Sequence, residues 1–368
     1  MRSHLPPLFS ERVNVVIFYD FEVFKEDWLA VFIDVTKKKE YVIINNPDEL
    51  KALYEANSKD IWVGYNNRHY DQYIMKGILL GMNPKRINDW IIVEKKEGWQ
   101  FSSAFNKVPM INYDVMPNPP VGLKTLEGFL GSNIKETDVD FRINRKLTKE
   151  EIEMTVFYCR HDVEETIKVF LEKIDEFNAM HGIIQAFPDI VRLSDIGDSE
   201  ARITAKVLGC SRRSFEDEFD FYFLPCLQLK KYKYVQDWFE QKRQEALSMD
   251  LAHMDKYSKR TWYKEQGLET VVAGIPHSFG FGGVHGATAT PIHKTGQLLH
   301  VDVNNYYPSM LIAWGLVTRA ATNNNFKLVY DTRKAMKKKQ VAAAHAGNKK
   351  EAKRWKKAQL PYKKMLNA

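Results

Sequence analysis

Two acids separated by a single residue are the first feature of this sequence that could do chemistry. Asp20 and Glu22 flank Phe21 directly after a short apolar run rich in β-branched residues, which predicts a buried strand over residues 13–19 with the acids at its end. Because side chains alternate along a strand, both acids share one face and Phe21 points into the core. Two converging carboxylates repel each other, so they need a cation or a raised pKa. A strand that simply ends in polar residues would show the same pattern.

Two further acidic motifs follow along the chain. Asp71 lies where a predicted strand joins a helix, a position at which a helix N-cap is the ordinary alternative. Tyr158 and Asp162 are four residues apart and share a face of a helix that opens on a capping-box pattern, Thr148 and Glu151. That helix carries an apolar stripe at helical spacing: Ile152, Val156, Cys159, Val163, Ile167, Phe170 and Ile174.

The elements that would position these acids also follow from the pattern. Residues 28–33, 41–44 and 61–64 read as further strands, and 46–57 and 71–80 read as helices. The sequence therefore predicts an α/β domain with three antiparallel strands first, then a helix, a strand and a helix.

The three motifs, in this order and on these elements, resemble the proofreading exonuclease domain of family B DNA polymerases, within the DEDD exonuclease superfamily. The resemblance covers residues 11–178 and implies an RNase H-like fold, a mixed sheet with flanking helices. Position 157 is Phe, so the histidine form of the third motif is absent. The resemblance therefore implies the tyrosine subclass, with Tyr158 orienting the attacking water and His161 a bystander.

The same resemblance implies a two-metal 3′→5′ exonuclease acting on DNA. Asp20, Glu22 and Asp162 would hold the Mg²⁺ or Mn²⁺ ion nearest the attacking water, and Asp71 with Asp20 would serve a second ion. Four hard oxygen ligands suit these cations.

Several polar and aromatic side chains around the motifs are candidates for gripping terminal nucleotides by stacking and hydrogen bonding. Core aromatics and turn asparagines are the alternative interpretation. For Asp114 we expect an ordinary role at a strand end or turn. The candidate DNA-contacting residues are Phe21, Tyr65, Asn66, Asn67, Tyr70 and Lys124.

The second half of the chain resembles the beginning of the polymerase part of the same family. Residues 302–309 resemble the first palm motif, which implies that Asp302 binds catalytic metal and that Tyr307 packs under the deoxyribose. Residues 363–368 match the start of the fingers motif. The implied nucleotide-binding residues are Tyr307, Arg333, Lys337, Lys363 and Asn367.

The motifs that should follow lie beyond residue 368. We therefore expect that this chain alone does not polymerise DNA. A second polypeptide with the rest of the palm, the fingers and the thumb is one explanation, and a truncated gene or an intervening-element junction are the alternatives. The expected domains are a tail (1–10), the exonuclease (11–178), a mostly helical linker (179–285), the start of the palm (286–330) and incomplete fingers helices (331–368).

Charge is placed unevenly along the chain. The net charge is +7, but residues 327–368 hold 14 Lys and Arg against 2 acids, so the other residues sum to 7 − 12 = −5. Such a block suggests a polyanion partner, with a solubilising tail as the alternative. Three cysteines and no long apolar run predict a reduced, cytoplasmic protein, in a bacterial host if a phage encodes it, with no membrane partner.

Two other functions remain open at this point. One is a self-sufficient exonuclease for single-stranded DNA, in which the polymerase-like part only holds the substrate. The other is a non-catalytic module for DNA binding or assembly, against which the complete set of acids argues.

Overall fold

The computed structural model describes most of the 368-residue chain. The described residues are 15–117, 119–132, 139–210, 223–290, 295–297, 299, 305–319 and 323–367. Two compact units emerge, Met1–Gly209 with Asn323–Ala368 and, separately, Cys210–Thr322. The predicted linker is therefore shared between the two units. Among the described helices, none combines the length and the apolar character needed to cross a bilayer.

A mixed five-stranded sheet forms the centre of the first unit. In the order β3-β2-β1-β4-β5, the first three strands are antiparallel, and β4 and β5 run parallel to β1. The predicted α/β class and the three antiparallel strands are confirmed. The strands are β1 (Val16–Val23), β2 (Trp28–Asp34), β3 (Lys39–Ile44), β4 (Ile61–Gly64) and β5 (Ile111–Asp114).

β1 runs further than the sequence predicts. It pairs with β2 as far as Val23 and Trp28, where the N–H of Phe24 donates to the carbonyl of Asp27 at 2.8 Å and closes the hairpin. The two acids therefore lie within the strand and not at its end, because pairing to β2 continues past them. Their shared face is unchanged by this correction.

Helices flank the sheet on the chain up to residue 209. The capping box at the start of the long helix α5 is confirmed, with Thr148 Oγ1 accepting from the N–H of Glu151 at 3.2 Å. The predicted apolar stripe is divided, since α5 ends at Glu172 and Ile174 begins the next helix. These helices are α1 (Pro47–Ala56), α2 (Asp71–Leu79), α3 (Pro84–Asn88), α4 (Leu123–Leu130), α5 (Lys149–Glu172), α6 (Ile174–Ala186) and α7 (Glu200–Leu208).

The second unit combines helices with a small sheet. The linker region was expected to be mostly helical, but three antiparallel strands, β6 (Leu268–Val272), β7 (Ile275–Gly280) and β8 (Gly283–Gly286), lie in and beside it. Trp262 and Phe281 pack together in its core with ring centroids 5.5 Å apart. The helices of this unit are α8 (Lys233–Ser248), α9 (Lys256–Glu265) and α10 (Tyr306–Ala313).

The basic C-terminal segment returns to the first unit as three helices, α11 (Asn323–His345), α12 (Lys349–Ala358) and α13 (Leu360–Met365). The chain turns between α11 and α12 at Gly347, whose φ of 71° lies in the left-handed region. Lys364 Nζ lies 2.7 Å from Glu200 Oε2 and joins α13 to α7.

Candidate metal centre

Asp20 and Glu22 project from one face of β1 while their neighbours fill the core. The side chains of Phe21 and Val23, on the opposite face, are 3% and 4% exposed, whereas both acids keep partial contact with solvent. The register of β1 with β4 ends at Phe18. Beyond Phe18, backbone groups on this edge of β1 can therefore form hydrogen bonds with a residue that is not on β4.

Asp71 is that partner. Its Oδ1 accepts a hydrogen bond from the backbone N–H of Phe21 at 3.1 Å, and the residue is 3% exposed. The ordinary N-cap interpretation does not apply, because Tyr70 is the N-cap residue and Asp71 begins α2. A tertiary hydrogen bond thus holds this acid beside the pair on β1.

Asp114 anchors the loop that leads to α2. As the last residue of β5, it accepts from the backbone N–H groups of Asn66 at 2.9 Å, Arg68 at 3.1 Å and Met116 at 2.9 Å. Asn66 has a φ of 57°, a left-handed conformation that asparagine tolerates better than most residues. The expected strand-end role of Asp114 is confirmed.

Cys159 brings α5 against β1. Its Sγ lies 3.5 Å from both the carbonyl oxygen and Oδ2 of Asp20, and its side chain is fully buried. Tyr158 and Asp162 stand at the margin of the same helix face and are partly exposed. The helical stripe therefore carries Asp162 to the acids on β1.

Burial and mutual repulsion raise the pKa of these acids. The pKa of Asp20 rises to about 7, first because the carboxyl is desolvated and then because Asp162 is close. Burial raises the pKa of Glu22 and of Asp71 well above the ordinary range, and the charge of Asp20 adds to both shifts. Burial also raises the pKa of Asp162. Since a bound cation would offset this repulsion, the donor set fits one.

Lys124 places a positive charge at the edge of the carboxylate group. Its Nζ donates to Oδ1 of Asp162 and lies 3.1 Å from Oε1 of Glu127. Burial opposes the ammonium form, but the nearby carboxylates of Asp162 and Glu127 leave the pKa of Lys124 raised. Two protein carboxylates thus lie beside this ammonium, and its predicted contact with DNA stays a prediction.

Glu127 also belongs to a group that could hold a metal ion. Ligand atoms of Glu127, His161 and Asp162 lie within 4.8 Å of one another, a compactness found in no other set of three acids, histidines or cysteines across the described residues. The four predicted acids are thus spread more widely than this trio. Sequence reasoning set His161 aside and missed Glu127, for which the one available signal was the i, i+3 spacing from Lys124.

The residues predicted to contact DNA differ in their burial and in their hydrogen-bond partners. Phe21 and Asn67 are 3% and 0% exposed, so their side chains do not present a surface for bases. Tyr65 and Tyr70 direct their hydroxyl groups to protein partners, the carbonyl of Val121 and Oδ1 of Asn88 respectively. For Phe21 and Asn67 the core and turn interpretation is correct, because the β1 face and the Asp114-anchored loop bury them.

Three of the predicted nucleotide-binding residues come together. Arg333, Lys337 and Lys363 line a cavity of about 640 Å³ between the C-terminal helices and the start of α6, where Asp175 is the acid among the lining residues. Lys353, Lys356 and Lys357 line it as well. Asn367 is exposed on the same segment but is not part of the lining.

The predicted palm residues belong to the second unit. Asp302 lies outside the described residues. Tyr307 is 71% exposed on α10, with its ring 5.4 Å from that of Tyr306.

Protein-family models and curated proteins offer no match to this chain. What it does must therefore be inferred from its own residues and their geometry.

Proposed function

We propose that the first unit is a metal-dependent 3′→5′ exonuclease acting on DNA 3′ ends. The observation that carries the proposal is the convergence of Asp20, Glu22, Asp71 and Asp162 from β1, α2 and α5. Four carboxylates whose pKa values are all raised are costly to the fold, and such sites serve function more often than stability.

The RNase H-like assignment is part of the proposal. It is supported by three antiparallel strands at one side of the sheet, two parallel strands after them, and acids on the central strand β1. The long helix α5 supplies the third motif, Tyr158 and Asp162. This helix contacts β1 through Cys159.

Each residue of the candidate site has a definite part in the proposed reaction. Asp20, Glu22 and Asp162 would hold one Mg²⁺ or Mn²⁺ ion, and Asp71 with Asp20 a second. The chemistry that such ions supply when bound is a more nucleophilic water and a stabilised leaving 3′ oxygen. Tyr158 orients that water through its hydroxyl, and Lys124 balances charge at Asp162.

The direct test is shortening of a single-stranded oligonucleotide that carries a fluorophore at its 5′ end. We expect a ladder of products, each one nucleotide shorter, that requires Mg²⁺ or Mn²⁺ and disappears with EDTA. A ladder of 5′-labelled products formed without a divalent cation, or no products at all, would contradict the proposed function.

Replacing Tyr158 should slow the reaction without changing its metal requirement. In Tyr158→Phe the ring is kept and the hydroxyl that positions the water is lost, so we expect turnover to fall about tenfold or more. Half-maximal Mg²⁺ concentration should stay the same, because the carboxylates are intact. Phe157→Leu is the matched control, since it removes the neighbouring ring, 5.5 Å away, and leaves the hydroxyl.

We further propose that the chain carries the beginning of the polymerase part of a phage-type family B DNA polymerase beside its exonuclease. The cavity lined by Arg333, Lys337 and Lys363 supports this part of the proposal, since clustered cations suit the phosphates of a nucleotide or of DNA. Primer extension by the purified chain alone would contradict the expectation that this chain does not polymerise DNA by itself.

The cavity makes its own prediction. Lys337→Ala with Lys363→Ala should weaken binding of a deoxynucleoside triphosphate about tenfold and reduce the salt dependence of DNA binding by about two charges. Lys338→Ala with Lys350→Ala is the control, because both lysines are exposed on the C-terminal helices and neither lines the cavity. Equal effects in both variants would show that the basic segment binds only through its overall charge.

The rival functions give different results in these assays. A self-sufficient exonuclease, whose polymerase-like part only holds DNA, would lose DNA affinity in the cavity variant but would bind no deoxynucleoside triphosphate. A non-catalytic module would bind DNA and leave its length unchanged. Asp71 argues against that module, because a buried carboxylate with a raised pKa serves no evident binding purpose there.

A further inference from the structure

Glu127 is a buried acid that the proposed reaction does not yet use. It lies on α4 with 0% exposure, and neither of its carboxylate oxygens has a hydrogen bond of good geometry. Two side chains lie close to it instead, with Lys124 Nζ 3.1 Å from Oε1 and His161 Nε2 3.5 Å from Oε2. A carboxylate that is removed from water to this degree destabilises the folded protein unless a nearby cation compensates its charge.

The two groups beside Glu127 both lead to Asp162. Lys124 donates to Asp162 Oδ1, and His161 precedes Asp162 on α5. One carboxylate, from inside the protein, thus contacts both residues that flank the metal-binding acid. Without Glu127, Asp162 would be the acid that remains paired with the ammonium of Lys124.

We propose that Glu127 is a positioning residue of the metal centre, which holds Lys124 between two carboxylates so that Asp162 stays available to the metal. This inference rests on the proposed function of Asp162. The carboxylate of Glu127 shares the charge of Lys124 with Asp162. When an amide replaces that carboxylate, Lys124 pairs with Asp162 alone, and the site gains one unit of positive charge. Both changes weaken the binding of a divalent cation.

Glu127→Gln tests this inference because it removes the charge and keeps the volume. We expect the Mg²⁺ concentration for half-maximal exonuclease activity to rise about tenfold or more, the usual effect of losing a partner behind a metal ligand. Mn²⁺ binding to the full chain, measured by calorimetry without DNA, should weaken by a similar factor. Glu127→Asp restores the charge and should return Mn²⁺ affinity towards that of the unsubstituted chain.

Glu165→Gln is the matched control. Glu165 is likewise buried, with 1% exposure, and lies on α5. It pairs with a lysine three residues away, Lys168, rather than with Lys124. It should leave Mn²⁺ affinity unchanged. If Glu127→Gln does not fold, Glu127→Met, which removes a buried charge without leaving a cavity, takes its place in the same measurements.

The outcomes separate this inference from the proposed function. Equal Mn²⁺ affinities for the Glu127→Gln (or Glu127→Met) and Glu165→Gln variants would overturn the positioning role, even if the chain degrades DNA. Weaker Mn²⁺ binding specific to Glu127, in a chain that never shortens DNA, would support the positioning role and overturn the exonuclease.

Discussion

Removal of 3′ nucleotides should fall by at least about a thousandfold when Asp20 and Glu22 are both replaced by Ala, since loss of the metal ligands costs several kcal/mol of transition-state stabilisation. These two acids share one face of β1, and Asp20 is in contact with Cys159 of α5. The measurement is the rate of shortening of a 5′-labelled single strand at saturating Mg²⁺.

The double variant should fold at least as well as the parent chain. Each of the two pKa values is raised by burial and by repulsion from neighbouring acids, so removing the carboxylates relieves an unfavourable charge. Glu164→Ala is the matched control, because Glu164 is an exposed acid on α5 two residues after Asp162. Activity that survives in the double variant at more than about a tenth of the parent rate would place the active site elsewhere.

Local patterns were enough to predict the first four strands and the helices α1, α2 and α5 of the first unit. The capping box at Thr148 and Glu151 and the alternation around Phe21 are set by neighbours in the chain, so each could be recognised without a structure. The order of the acids along the chain gave the expectation that they meet. That they do meet depends on Cys159 and on the hydrogen bond to Asp71, which are contacts over 139 and 50 residues.

The errors came from tertiary pairing that no local pattern contains. β1 extends through Glu22 because β2 turns back at Phe24 and Asp27 to pair with it. Asn67 reads as an exposed turn residue, yet its Nδ2 donates to Oδ1 of Asn112 at 2.9 Å, and the side chain is buried. A turn asparagine that binds DNA and one that fixes a loop have the same sequence signature.

Glu127 illustrates the same limit for charge. An acid three residues after a lysine on a helix usually forms a solvated surface pair worth little. Here the packing of α4 and α5 buries the acid completely and leaves Lys124 between Glu127 and Asp162. Sequence spacing predicts the pair, but only the fold shows that Lys124 of the pair also reaches Asp162.

The stability of the first unit should fall as pH rises, and a divalent cation should reverse that fall. An ordinary aspartate titrates near 4, whereas the pKa of folded Asp20 is about 7. Between these values the folded state binds more protons than the unfolded state, so the free energy of unfolding decreases as pH increases through this window. Glu22 and Asp71, whose pKa values are also raised, act in the same direction.

Thermal unfolding of the full chain at pH 5 and pH 8, with EDTA or with Mn²⁺, measures this effect. With EDTA we expect the unfolding free energy at pH 8 to be lower by on the order of 2 kcal/mol, which corresponds to a shift of about 5 °C in a unit of this size. Mn²⁺ should raise the melting temperature at pH 8 far more than at pH 5, because protonated carboxyls compete with the metal. Asp20→Asn with Glu22→Gln should flatten both responses, whereas Glu164→Gln, which removes an exposed acid on α5, should leave them intact. A double variant that keeps the full pH dependence and the full response to Mn²⁺ would mean that neither arises from the acids on β1, and the proposed metal centre would lose its physical basis.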